Sequence, residues 1–200
     1  MKIFNSYIDF NSFFKKGIKS INDDFGIYMI TGYQGTGKTY FAVYLVNKYY
    51  NDDRIIYTNI KSLNIPNRKI IYFERLSEIV FNIEEDRIFI IDELSKLYSK
   101  DSKPDKPFYS WLQQSRKRRR SVFLITQEYI QVPQWLRGLP RYVYTTNKII
   151  FIPIFITKCG LPILDPDTLE WTIDPLYSYI YKRNKIIANY YDTMEPIQIL

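Results

Sequence analysis

The sequence predicts an α/β fold, a mostly parallel sheet flanked by helices that ends in a small antiparallel C-terminal extension. Three observations carry that expectation. An apolar, strand-like run (GIYMIT, 26–31) enters Gly32-Tyr33-Gln34-Gly35-Thr36-Gly37-Lys38-Thr39, and an apolar helical run, TYFAVYLVNKYY, leaves it. This is the strand, loop and helix setting that the phosphate-binding pattern G-x-x-x-x-G-K-[ST] requires. Short apolar runs then alternate with helical patterns, as in βαβ units, until β-like segments separated by turn residues take over after Asn147.

Taken in order, residues 1–24 form a leading segment, with Phe10, Phe13, Phe14, Ile18 and Ile21 at helical spacing. Residues 25–146 form the nucleotide-binding core. In its phosphate loop the glycines let successive N–H groups face phosphate oxygens, Lys38 reaches the β- and γ-phosphates, and the Thr39 hydroxyl can ligate Mg²⁺. Gly32 to Thr39, with Tyr40 behind them, are the candidate nucleotide-binding residues, and ATP with Mg²⁺ the expected cofactors. RIIYT (54–58) reads as the second strand, 60–68 as a loop, KIIYF (69–73) as a short strand and 75–82 as a short helix.

RIFIID (87–92) has the form of a buried central strand whose carboxyl end carries an acid, and Glu93 follows at once. In a phosphate-loop ATPase such an Asp92 supports Mg²⁺ and such a Glu93 polarises the attacking water. Residues 99–107 read as a polar loop. FYSWLQQSRKRRR (108–120) reads as a helix with Phe108, Trp111, Leu112 and Ser115 on its buried side and five consecutive cations, Arg116 to Arg120, at its end. Such cations complement a helix C-terminus, yet they repel one another unless an anion is near, and a nucleic-acid backbone or a neighbour's nucleotide meets that need. SVFLIT (121–126) is a further buried strand, ending in Gln127, whose amide can bridge γ-phosphate and water. A short helix is expected near VPQWLR (132–137), a strand at RYVYT (141–145), and a β-rich extension over 147–200. That extension is divided by turn signals at Cys159 to Pro162, Asp165 to Asp167 and Asp174-Pro175.

Composition bounds the reading. The 200 residues suit one domain with a real core. With no His and a single Cys, a Ser-His-Asp triad, a Cys-His pair, a His/Cys zinc site and an internal disulfide are excluded. A formal charge of +7 permits an anionic partner such as nucleic acid. The N-terminus has no signal-peptide h-region, and the longest apolar run, 149–156, is broken by Pro153, so no membrane span is expected.

The ordered series GYQGTGKT, IIYTNI, IFIIDE, SRKRRRSVFLITQ, VPQWLR and YYDTMEP resembles the FtsK/HerA superfamily of P-loop translocases. Within it the chain is most similar to viral genome-packaging ATPases and to zonula-occludens-toxin-like phage assembly ATPases, over roughly residues 25 to 195. The resemblance implies a RecA-like (ASCE) core. It implies phosphate and Mg²⁺ binding by Lys38 and Thr39, Mg²⁺ support by Asp92, water activation by Glu93 and γ-phosphate sensing by Gln127. It also implies a finger supplied in trans by the basic run that holds Arg116 and Arg119, and a second arginine, Arg137, facing a ring neighbour. A membrane span and a His beside the arginine, usual in toxin-like members, are not found in this sequence. The expectation is therefore an ATP-driven translocase loading a viral genome into a capsid. It would be a homo-oligomeric ring on double-stranded DNA, with capsid or inner-membrane vertex proteins as partners, cytoplasmic in the host cell or virion-associated. The alternatives are a toxin-type assembly or secretion ATPase and a small-molecule kinase. A GTPase is disfavoured because Asn147-Lys148 begins an N-K-x-D reader without its acid, and a non-catalytic adaptor because every catalytic residue type is present.

Overall fold

The computed structural model describes residues 25–50, 53–81, 84–149 and 153–192. The leading helix expected over 10–21 and the end of the YYDTMEP stretch lie outside them. Eight strands form one sheet in the order β3-β2-β4-β5-β1-β6-β7-β8. β1 (Gly26–Thr31), β2 (Ile56–Thr58), β3 (Ile70–Tyr72), β4 (Ile88–Ile91), β5 (Ser121–Ile125) and β6 (Tyr142–Lys148) pair with one another in parallel. β7 (Ile154–Leu164) and β8 (Trp171–Lys182) continue the sheet antiparallel.

β1 is buried along its whole length, as a strand covered on both faces must be. Its side chains alternate between two cores. Tyr28 and Ile30 face a layer built on α1 (Lys38–Tyr49), where Phe41, Val43 and Val46 pack with Phe123 and Tyr144. Ile27 and Met29 face the opposite layer, where α2 (Leu76–Val80), α4 (Lys106–Gln113) and α5 (Gln134–Arg137) supply Ile79, Trp111 and Leu136. α3 (Leu94–Leu97) is one turn immediately after the acidic pair, and α6 (Lys185–Ala188) follows the last strand. Asp105 caps α4 by accepting from the Phe108 amide at 3.1 Å, and Pro107 sits in the first turn, where no amide hydrogen is needed.

Two expectations are corrected here. The helix over 108–120 ends at Gln113, and 114–119 is a succession of turns. Arg120 forces the chain inward: it is buried, donates from Nε to the Glu84 carbonyl at 3.1 Å and stacks over Trp111. Arg119 precedes it with a left-handed φ of 53°. The basic run therefore does not sit on the last turn of a helix. The turn signals at Cys159 to Pro162 and Asp174-Pro175 lie inside β7 and β8, and 185–188 is helical within the extension expected to be β-rich. Only 165–170 connects the two strands, Asp165 Oδ1 accepting from the Asp167 amide at 2.9 Å in an Asx turn.

Candidate nucleotide-hydrolysis site

In a parallel sheet the carboxyl ends of the strands and the helix N-termini meet at one edge, where ligands bind. Here β1 delivers the phosphate loop, β4 the acidic pair and β5 Gln127 to that edge. Gly32 adopts φ 145°, and a Cβ there would lie 2.5 Å from the Thr146 carbonyl oxygen, so the sharp exit from β1 requires glycine. The loop is fastened to its neighbours: the Gly32 amide donates to the Gln127 carbonyl at 2.8 Å, and Thr36 Oγ1 lies 3.0 Å from Thr146 Oγ1. Lys38 folds back over the loop, donating to the carbonyls of Gly32 at 2.8 Å and Tyr33 at 3.1 Å. Burial lowers its pKa, opposed by the nearby Asp92 and Glu93 charges.

Thr39 and Asp92 meet across the site, Thr39 Oγ1 donating to Asp92 Oδ2 at 2.6 Å. Asp92 Oδ1 accepts from the Glu93 amide at 2.7 Å. Its carboxyl is buried, and the loss of water raises its pKa against the lowering effect of Thr39 and the Glu93 amide. A hydroxyl and a carboxylate side by side are hard oxygen donors, and few protein ligands are what Mg²⁺ uses when phosphates and waters complete its shell. The pair fits that ion. Glu93 has a left-handed φ of 54° and an ion pair to Lys96, one turn along α3. Non-glycine residues in that region cost about 1–3 kcal/mol and concentrate at functional sites. Lys38, Thr39, Asp92, Glu93 and Gln127 line one cavity of about 230 Å³.

The loop residues Gln34 and Gly35 border the same cavity, whereas Tyr33 is an exposed side chain. Tyr40 packs its ring into an aromatic layer, stacked on Phe155 at 5.4 Å. The arginines are not at this edge. Arg116 and Arg119 precede β5, at the amino end of a strand whose carboxyl end reaches the cavity through Gln127, so within one chain they lie across the sheet from the site. Arg116 is exposed, and the Arg119 guanidinium lies 5.2 Å from the Phe25 ring centroid. The reading of Arg137 as an arginine facing a neighbour is overturned. Arg137 is buried and donates to the Val132 carbonyl at 2.6 Å and to the Ile130 carbonyl at 2.5 Å. Its charge is spent on the turn that precedes α5.

The sequence reading missed Asn59, Thr126 and Tyr191. Buried Asn59 grips the main chain of Asp92 from both sides, its Nδ2 donating to the Asp92 carbonyl at 2.9 Å and its Oδ1 accepting from the Asp92 amide at 2.8 Å. Its signal was present, a polar Thr-Asn step closing an apolar strand. Thr126 Oγ1 is buried in the cavity wall with no hydrogen-bond partner among the described residues. Tyr191 comes from the far end of the chain and carried no local signal.

Comparison with known proteins agrees with this architecture. The family described as Zonular occludens toxin (Zot) matches residues 26–192. The N-terminal domain of zonular occludens toxin from Neisseria meningitidis aligns with a TM-score of 0.61 at 23% identity, covering 84% of this chain and 98% of that one. The genome packaging NTPase B204 of Sulfolobus turreted icosahedral virus 2, in complex with ATP-γS, aligns with a TM-score of 0.50 at 11% identity, covering 76% and 97%. At these identities the two structures establish a shared fold. No curated protein matches the sequence.

Proposed function

The chain belongs to the zonular occludens toxin family, and on that premise we propose that it is an ATP-hydrolysing phage-type motor acting on nucleic acid. One observation carries the reading: the Thr39 and Asp92 side chains meet at 2.6 Å in the cavity that Lys38, Glu93 and Gln127 also line. A phosphate-binding device is thereby joined to the groups that hydrolysis needs.

The γ-phosphate enters beside Lys38, which exchanges its two loop carbonyls for phosphate oxygens and neutralises charge on the group being transferred. Glu93 orients the attacking water and takes up its proton, and the Gln127 amide holds water and phosphate in line. Thr39 and Asp92 would hold Mg²⁺, which when bound offsets phosphate charge. The exposed Arg116 is the candidate finger for a neighbouring subunit's nucleotide, an arrangement that requires a ring. Finger arginines contribute about 10³–10⁵ in rate. The formal charge of +7 and the fold shared with a genome packaging NTPase favour double-stranded DNA as cargo. Among the described residues no helix is long and apolar enough to cross a membrane.

ATP turnover with and without double-stranded DNA, across a salt series, tests the proposal. Stimulation that fades as salt rises is expected. Turnover that ignores nucleic acid at every salt concentration would remove the cargo, and absence of turnover would remove the motor.

A further inference from the structure

The first cavity has room for the reacting end of a nucleotide and little more. At about 230 Å³ it falls below the roughly 300 Å³ at which ligand pockets begin. A second cavity of about 260 Å³ adjoins it on the β6 and β7 side of the phosphate loop, sharing Gly35, Lys38, Thr39 and Tyr191 with the first. Its own wall is Gly37, Tyr40, Lys148, Phe155 and Arg183. The two make one path, with the acidic pair at one end and an aromatic and cationic chamber at the other. We propose that the second chamber takes the base and ribose of the nucleotide and reads only what the purines share, so that the chain uses ATP and GTP alike. This rests on the hydrolysis reading above, which fixes the γ-phosphate in the first cavity.

The C-terminal part of the chain builds this chamber. Phe155 lies so close to the loop that a Cβ on Gly37 would meet its ring at 2.6 Å, and its face is already stacked on Tyr40. These two rings are floor, not stacking partners for a base. Tyr191 is different. The segment that carries it is pinned on both sides: the Tyr190 carbonyl accepts from the Asn64 amide at 2.7 Å, and the Asp192 amide donates to Ser62 Oγ at 2.8 Å. Its half-buried ring is thus held where both cavities meet. Arg183, exposed, lines the second chamber with it, and its main chain is fixed by donation to the Pro153 carbonyl at 2.8 Å. A flat ring and a flat guanidinium suit the two faces of a base.

The side chains that can face the edge of the base discriminate little between purines. Guanine is told from adenine by an acceptor for its N1–H and amino group, adenine by an acceptor for its own amino group. No carboxylate or carboxamide side chain lines the chamber among the described residues. Lys148 and Arg183 are donors only, and the purine N7 acceptor they can reach is common to adenine and guanine.

Calorimetric titration of the full chain with ATP, GTP and inorganic tripolyphosphate, at physiological salt with magnesium, decides the matter. ATP and GTP should bind within about tenfold of each other, and Arg183→Ala and Tyr191→Leu should each weaken ATP by about tenfold while leaving tripolyphosphate within twofold. A larger preference for either purine, unchanged ATP affinity in Arg183→Ala, or equal losses for ATP and tripolyphosphate would overturn the base chamber. Should Tyr191→Leu fail to fold, Arg183→Ala, an exposed site, decides alone. Failure of the parent reading looks different: Lys38→Ala would then bind both ligands as well as the wild type does, or the wild type would bind neither.

Discussion

Replacing Asn59 with alanine separates a scaffold from a site. The Asn59 amide makes two buried hydrogen bonds to the Asp92 main chain, at 2.9 and 2.8 Å. A net contribution of about 1 kcal/mol each gives about 2 kcal/mol lost, rising toward about 4 kcal/mol if the Asp92 amide and carbonyl stay buried and unpaired. In a chain of this size each kcal/mol moves the melting temperature by about 2–4 °C, so a fall of roughly 4–8 °C is expected at the lower figure. The clip also sets where β4 ends and hence where the Asp92 carboxylate meets Thr39. Removing a group that orients a metal-supporting residue typically lowers metal affinity or activity by about 10- to 100-fold. Thermal melting and ATP turnover as a function of magnesium read the two effects. A melting temperature within 1 °C of wild type would refute the hydrogen-bond reasoning. Lower stability with an unchanged magnesium profile would show that Asn59 holds the fold and not the site.

Glu93→Gln should bind ATP as the wild type does while hydrolysis nearly stops, shown by titration beside single-turnover kinetics; retained turnover would remove Glu93 as the base. Arg137→Ala should lower stability by about 3 kcal/mol, since it strips two carbonyls of a charged donor. Mixed with Glu93→Gln subunits it should give no complementation, whereas Arg116→Ala should. Asp92→Asn should raise the melting temperature of the nucleotide-free chain at neutral pH. Burial raises the Asp92 pKa above its ordinary 3.8, so its contribution to stability is fully present below that value and falls away as pH rises through the raised one. The variant should flatten that slope while losing magnesium-dependent turnover. Gly32→Ala, where a Cβ meets backbone at 2.5 Å, should disrupt the loop far more than Gly35→Ala, where nothing lies within 4 Å and only a left-handed φ of 77° resists.

The centre of the sheet was legible because β1, β4 and β5 are each a short apolar run buried on both faces and followed by a residue that reaches the site. Thr31 before Gly32, Asp92 after Ile91 and Gln127 after Thr126 all sit where the pattern changes from apolar to polar. The extension misled because the strength of proline and glycine as turn signals depends on which neighbour a strand has. Pairing of β7 with β6 stops at Gly160, so Pro162 has a partner strand on one side only, and β8, which holds Pro175, is the sheet edge. Proline is tolerated at both for want of an amide that must be paired. The reach of Tyr191 and Arg183 back to the phosphate loop depends on sheet order, which no local pattern encodes.

Charge placement separates the parts of this chain that hold from the parts that act. Arg54 donates to the carbonyls of Arg87 and Arg119 at 2.9 and 3.0 Å, Arg68 to those of Val46 and Tyr50 at the end of α1, Arg120 to that of Glu84, and Arg137 to those of Val132 and Ile130. Each of these cations is buried and fastened to main chain that other elements hold in place. A bound nucleotide has no route to displace those contacts. Lys38 also rests on carbonyls, but they belong to its own loop, where oxygens of an incoming phosphate can replace them. Asp92 is likewise bonded to a hydroxyl that a cation can share, and not to a buried counter-ion. A buried charge with exchangeable partners is costly without ligand and favoured with it, which is how binding energy is directed to one site. By that criterion Arg137 belongs to the scaffold, whereas Arg116 is exposed and among the described residues no main-chain carbonyl holds its guanidinium, as the proposed role in a neighbour's site requires.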